Sequence, residues 1–150
     1  MWKSAITAYF HYFGFMIAFA SLIVENLTFK EKLTLDESKR IVIADVCYGL
    51  AAVIILVTGI LRVLYFGKGT DYYLDNPIFY IKVGLYLLVG LVSLYPTITF
   101  ILWVKDLQNN QAPILSINQV NIVSYILKFE IIGFSLLPLL AAILARGIEI

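Results

Sequence analysis

Charge is what this sequence has least of. Only 14% of its 150 residues are Asp, Glu, Lys or Arg, 61% are hydrophobic, and the mean hydropathy is +0.91. So little polar surface cannot coat a water-soluble globule of this size. The chain is therefore read as a membrane protein, with no room for a separate soluble catalytic domain. Cysteine is nearly absent: Cys47 stands alone in an apolar run, which excludes an internal disulfide, a CxxC redox pair and a thiolate metal cage. A single histidine, His11, excludes a two-histidine zinc site built from this chain alone. Eleven Lys and Arg against ten Asp and Glu form no basic block or face, so nucleic acid is not an expected partner. No repeat or low-complexity tract is evident.

What the sequence does have is four apolar stretches, each about 20 residues or longer and so able to cross a bilayer as a helix. They run from about residue 4 to 24, 41 to 66, 78 to 104 and 118 to 145, and the expected fold is one all-α domain, residues 1–150, with four transmembrane helices in an antiparallel bundle. Ala18-Phe19-Ala20 resembles a small-x-small cleavage site after an apolar run. The stretch from Ser4 to Val24 is nonetheless long enough to span, and it is read as a retained helix.

Three polar segments separate the spans. LTFKEKLTLDESKR follows the first; there Thr34 and Glu37 have capping-box spacing, so a helix should start near Leu35 and continue into the second span. GKGTDYYLDNP is the second loop, ending in an Asn-Pro suited to a helix start. KDLQNNQAPILSI is the third. Pro96 and Pro138 fall inside the third and fourth spans, where Pro96 is expected to kink its helix. Four crossings place both termini and the second loop on one face. The first and third loops carry Lys30, Lys32, Lys39, Arg40 and Lys105, against Lys3, Arg62, Lys68 and Arg146 on the other face. That balance leans towards non-cytoplasmic termini in the inner (plasma or thylakoid) membrane of a bacterium.

A charge near the centre of a membrane helix costs about 2.5–3.5 kcal/mol on insertion scales. Those present are expected to face protein, water or a cofactor: His11, Asp45, Arg62, Lys82, Lys128 and Glu130. His11 lies roughly 12 Å below the terminal-side interface at 1.5 Å of rise per residue, and Lys82 about 7 Å below the same interface. Phe15, Ala18, Leu22 and Glu25 follow His11 at helical spacing and put one ring, one small residue and one acid on its face. The plainer readings are a histidine bonded to a neighbouring hydroxyl or carbonyl, a snorkelling Lys82 and an Arg62 at lipid phosphate. Asp45 is expected to pair with Lys39 or Arg40 or to serve as a cap. Lys128 and Glu130, two apart, point to nearly opposite faces; Glu130 is the candidate for a buried ion pair or a proton-handling group.

A lone deep histidine in a helix bundle is a common way to hold haem iron. Met16 shares a helix with His11 and cannot easily reach the far side of a macrocycle. Lys82 is the available nitrogen on another helix, although iron binds only the neutral amine. An open sixth position, a water ligand and a histidine from a second copy of the chain are the rivals.

The opening WKSAITAYFHYFGFMIAFASLIVE resembles the first helix of the HemJ-like membrane proteins. NPIFYIKVGLYLLVGL is similar to the segment holding that family's characteristic lysine, and KFEIIGFSLLPLLAAILARG resembles a branch of predicted bacterial membrane proteins of unknown function. HemJ-like proteins have four or five membrane helices, bind haem b and are implicated in oxidising protoporphyrinogen to protoporphyrin. The resemblance implies haem b as cofactor, His11 as an iron ligand and Lys82 as a second ligand or essential basic group. The spacing from Trp2 to His11 is longer than the family pattern, and its arginine and Asn-Glu arrangement at the head of the last helix is missing; Lys128 and Glu130 are a loose analogue.

The expected function is thus a haem b-binding, porphyrin-oxidising or electron-transferring membrane protein. His11 and Lys82 are the metal ligands, Lys82 and Glu130 the catalytic candidates, Arg62 a partner for a propionate, and Tyr12 and Phe15 packing against the ring. A quinone is the expected acceptor, and a homo-oligomer is open. Two alternatives stand beside it: a non-catalytic accessory or assembly subunit of a larger membrane complex, and a small transporter or proton conductor using Glu130 and Asp45 as a relay.

Overall fold

A computed structural model of the protein describes residues 1–148. The chain is all-helical: α1 (Trp2–Thr28), α2 (Leu35–Leu61), a π-helical turn (Arg62–Phe66), a short α3 (Thr70–Leu74), α4 (Pro77–Gln108) and α5 (Ile117–Ala145). Four of these helices, α2 taken together with its π-helical turn, are long and apolar enough to cross a membrane. Every one of the four extends past the apolar run that marks it, by up to several residues, so the loops are shorter than the polar segments in the sequence.

The starts of the long helices follow local chemistry. Thr34 accepts a hydrogen bond from the Glu37 amide while the Glu37 carboxylate accepts from the Thr34 amide, the capping box read from the sequence. Ser116 and Gln119 form a second box at the head of α5, a spacing that the sequence reading passed over. Asn76 caps α4, accepting from the Ile78 amide, with Pro77 in the first turn. The second loop is not featureless, as expected, but holds α3. There Lys68 Nζ donates to the Ala145 carbonyl at 2.7 Å and the Tyr72 hydroxyl donates to the Leu144 carbonyl at 2.6 Å. The Lys68 bond covers the Ala145 carbonyl at the end of α5, and the Tyr72 bond adds to the one that the Leu144 carbonyl accepts from the Gly147 amide. α4 runs unbroken through Pro96, which is buried.

The inner faces repeat every three or four residues. In α4, Val89, Ser93, Pro96, Phe100, Trp103 and Leu107 are buried; in α5, Val123, Leu127, Glu130, Phe134 and Leu137. This alternation of fours and threes is the seam of a left-handed antiparallel bundle. α1 packs on α2, α2 on α4, α4 on α5 and α5 on α1, so α1 and α4 lie across a diagonal of the bundle. The outer faces are apolar: Ile43, Val46, Leu50, Val53 and Val57 of α2, and Leu87, Leu91, Leu94, Ile98 and Ile101 of α4, are exposed. Water does not tolerate such a belt, whereas a bilayer requires it.

Candidate functional site

His11 sits on the inner stripe of α1 between the buried Thr7 and Gly14. Its ring is half-buried and lies against α2, where a Cβ on Gly59 would stand 3.4 Å from His11 Cε1. His11 Nδ1 is 3.0 Å from Thr58 Oγ1, so the expectation of a neighbouring hydroxyl is met. The Thr58 hydroxyl in turn donates to the Ile54 carbonyl one turn back. A threonine has one hydroxyl proton. With that proton committed to the backbone, Thr58 is left as the acceptor, and Nδ1 carries the imidazole proton. Nε2 is then the lone-pair nitrogen.

Two further basic groups act on this ring from a distance. Arg62, at the head of the π-helical turn, and Lys82, from the diagonal helix α4, both lie within electrostatic reach of His11. Lys82 is partly buried and pairs with no carboxylate among the described residues, where Lys30–Glu37, at 2.6 Å, forms the one ion pair. Three helices therefore contribute an imidazole, a guanidinium and an amine to the terminal-side half of the bundle.

The other predicted site residues are distributed differently. Tyr12 points outward, 57% exposed, with the Arg62 guanidinium 5.1 Å from its ring centroid. Phe15 turns into the core and stacks on Phe134 of α5, centroids 5.5 Å apart. Lys128 is exposed and Glu130 is buried, the opposed orientation that their spacing predicts. Glu130 stands in the other half of the bundle. Tyr48, beside Glu130, and Thr58, beside His11, are roughly 15 Å apart along α2 at 1.5 Å per residue. The ion pair considered for Glu130 is not formed among the described residues, where Lys30–Glu37 is the one ion pair.

Asp45 requires a correction. It is neither paired with Lys39 or Arg40, both exposed, nor a cap. It lies ten residues into α2 and faces inward, where Thr97 Oγ1 of α4 donates to its Oδ1 at 2.7 Å. The side chain follows the inner stripe of its helix, and that stripe points away from the basic residues at the interface.

Sequence reasoning missed Thr58, Gly59, Tyr48 and Thr97, and it noted Glu25 only as a member of the His11 stripe. The signal for Thr58 was the small polar pair Thr58-Gly59 inside an otherwise aliphatic run, on the same helical face as Asp45 and Tyr48. Among the described residues no three His, Cys, Asp or Glu side chains converge as a metal-ion site. An open groove of about 820 Å³, bordered by Lys3, Ser4, Ala8, Tyr65 and Phe66, reaches to one helical turn from His11. A smaller one, of about 260 Å³, lies at the other end beside Lys39, Val42 and Leu107.

The model of a family described as Predicted membrane protein (DUF2214) matches residues 3–149. The chain belongs to that family. No curated protein and no solved structure matches it.

Proposed function

We propose that this member of the DUF2214 family is a haem b-binding protein of the bacterial inner membrane, with its termini on the non-cytoplasmic side, acting in electron transfer or porphyrin oxidation. One observation carries the reading: the only histidine has its Nδ1 3.0 Å from the Thr58 hydroxyl, whose own proton goes to the Ile54 carbonyl, in a half of the bundle where Lys82 and Arg62 lie within electrostatic reach of the ring. The likeness of the first and third helices to HemJ-like proteins supports it.

The residues fit the group by donor chemistry. An axial haem ligand needs a neutral imidazole with one free nitrogen, its other nitrogen anchored by a hydrogen bond. The Nδ1 contact of His11 with Thr58 supplies the anchoring bond. His11 would hold the iron, and Lys82 would supply a second ligand or a base. Arg62 would neutralise an anionic substituent such as a propionate. Haem, when bound, supplies the one-electron chemistry. The chain's own residues hold the imidazole in register, keep the amine close to it and exclude water from the bundle interior. A membrane quinone is the matching class of acceptor.

The test is the absorption spectrum of detergent-purified protein expressed with ample haem. A Soret band that is lost in His11→Ala and altered in Lys82→Ala, at equal folded yield, is the expected result. Anaerobic turnover of protoporphyrinogen then separates an oxidase from a haem carrier. Colourless protein that folds normally would overturn the reading and favour an accessory subunit of a larger complex.

A further inference from the structure

The half of the bundle next to the first and third loops holds a second polar group that the haem reading does not use. Glu25 of α1, Asp45 of α2 and Glu130 of α5 face inward from three helices within electrostatic reach of one another, and they are 1%, 6% and 1% exposed. Around them stand the Tyr48 hydroxyl on α2, beside Glu130, and Ser93 and Thr97 on α4. Thr97 bonds Asp45, while Ser93 donates to the Gly90 carbonyl. Glu25 Oε1 has no hydrogen-bond partner, and the two Glu130 carboxylate oxygens have none within 3.5 Å, the Tyr48 hydroxyl being the group placed to bond Glu130. Buried polar atoms are almost always hydrogen-bonded, so these oxygens in one half of the bundle mark something the protein atoms alone do not satisfy.

Charge identifies what is missing. The one ion pair among the described residues lies in the first loop, and the basic residues nearest in sequence, Lys39, Arg40 and Lys128, are all exposed. Three carboxyl groups thus share an interior with no cationic side chain against them, an arrangement that needs compensation from outside the chain. A metal ion would need at least three ligands converging on it, and no such group is formed among the described residues. A proton needs only one oxygen. We infer that Glu25, Asp45 and Glu130, with the Tyr48 hydroxyl, form a proton-binding site in this half of the bundle, distinct from the His11 group.

The surroundings suit that role. Phe29, Phe100 and Trp103 pack together between these acids and the loop-side end, with Phe100 and Trp103 centroids 4.8 Å apart and Phe29 stacked on Trp103 at 6.3 Å. This aromatic layer screens the acids from bulk water. Glu25, within one turn of the end of α1, is the member closest to the aqueous loop.

Infrared difference spectra of the full-length protein in lipid nanodiscs, recorded between two pH values, test the site. A carbonyl stretch from protonated carboxylic acids is expected, shifted in heavy water and responding to pH. Glu25→Gln and Glu130→Gln should each delete part of it, while His11→Ala leaves it unchanged. Should a glutamine variant fail to fold, wild-type protein labelled with carbon-13 in glutamate, and separately in aspartate, assigns the band without substitution. No such band near neutral pH, or a band unmoved by glutamate labelling, would overturn the site. A band that answers to sodium or potassium at fixed pH would overturn it in favour of a cation site.

Discussion

His11 Nδ1 and Thr58 Oγ1 meet at 3.0 Å across the seam between α1 and α2. Because the Thr58 proton goes to the Ile54 carbonyl, the hydroxyl presents only its lone pairs to the ring. The contact therefore selects which imidazole nitrogen is free, and it fixes the ring's orientation in the same stroke.

Thr58→Val keeps the branched shape and removes the oxygen. Losing the group that orients a ligating histidine typically lowers affinity by about 10–100-fold. Haem titration of the apoprotein, followed at the Soret band, should show a loss of that order in Thr58→Val and a much smaller one in Thr58→Ser. Equal affinity in the valine variant would detach Thr58 from the site.

Thr97 and Asp45 tie α4 to α2 by one side-chain bond at 2.7 Å. Thr97→Val leaves the buried Asp45 oxygen without its donor, a loss of about 1–3 kcal/mol. Thermal unfolding in detergent should register that destabilisation, and Thr97→Ser should restore most of it. If Thr97→Val unfolds at the wild-type temperature, the bond contributes nothing to holding the pair.

Gly133 lets α5 approach α4 closely, since a Cβ there would come within 2.5 Å of Val89 Cγ2. Overpacking of this kind costs about 1–3 kcal/mol. Gly133→Ala should be destabilised, and Val89→Ala in the same chain should relieve the clash, so the two changes couple in a double-mutant cycle. Additive effects would show that the helices simply move apart.

Ser116 accepts from the Gln119 amide, and Gln119 returns a bond from the Ser116 amide, at the head of α5. Ser116→Ala should cost about 0.5–2 kcal/mol. Hydrogen exchange is the suitable readout: amides of the first turn of α5 should lose protection while those around Glu130 keep theirs.

Much of the architecture was legible because it depends on local chemistry. Four long apolar runs can only be helices in a membrane, since each must satisfy its backbone internally. Thr34 with Glu37, and Asn76 before Pro77, announce where two of those helices begin. The opposed directions of Lys128 and Glu130 follow from two residues of helical rotation. The π-helical turn at Arg62–Phe66 and the short α3 were not legible, because Lys68, Tyr72 and the end of α5 assemble there from distant parts of the chain.

The two polar groups of the interior divide in the same way. Composition and periodicity were enough to say that His11, Asp45, Lys82 and Glu130 lie at bilayer depth. They could not say that Asp45 would choose Thr97 over Lys39 or Arg40, that Phe15 would stack on Phe134, or that Glu25 would join Asp45 and Glu130. A helix sets the direction of its own side chains within a turn or two. Which residues of different helices stand at the same level depends on how the seams interlock along the whole bundle, and no stretch of sequence carries that register by itself.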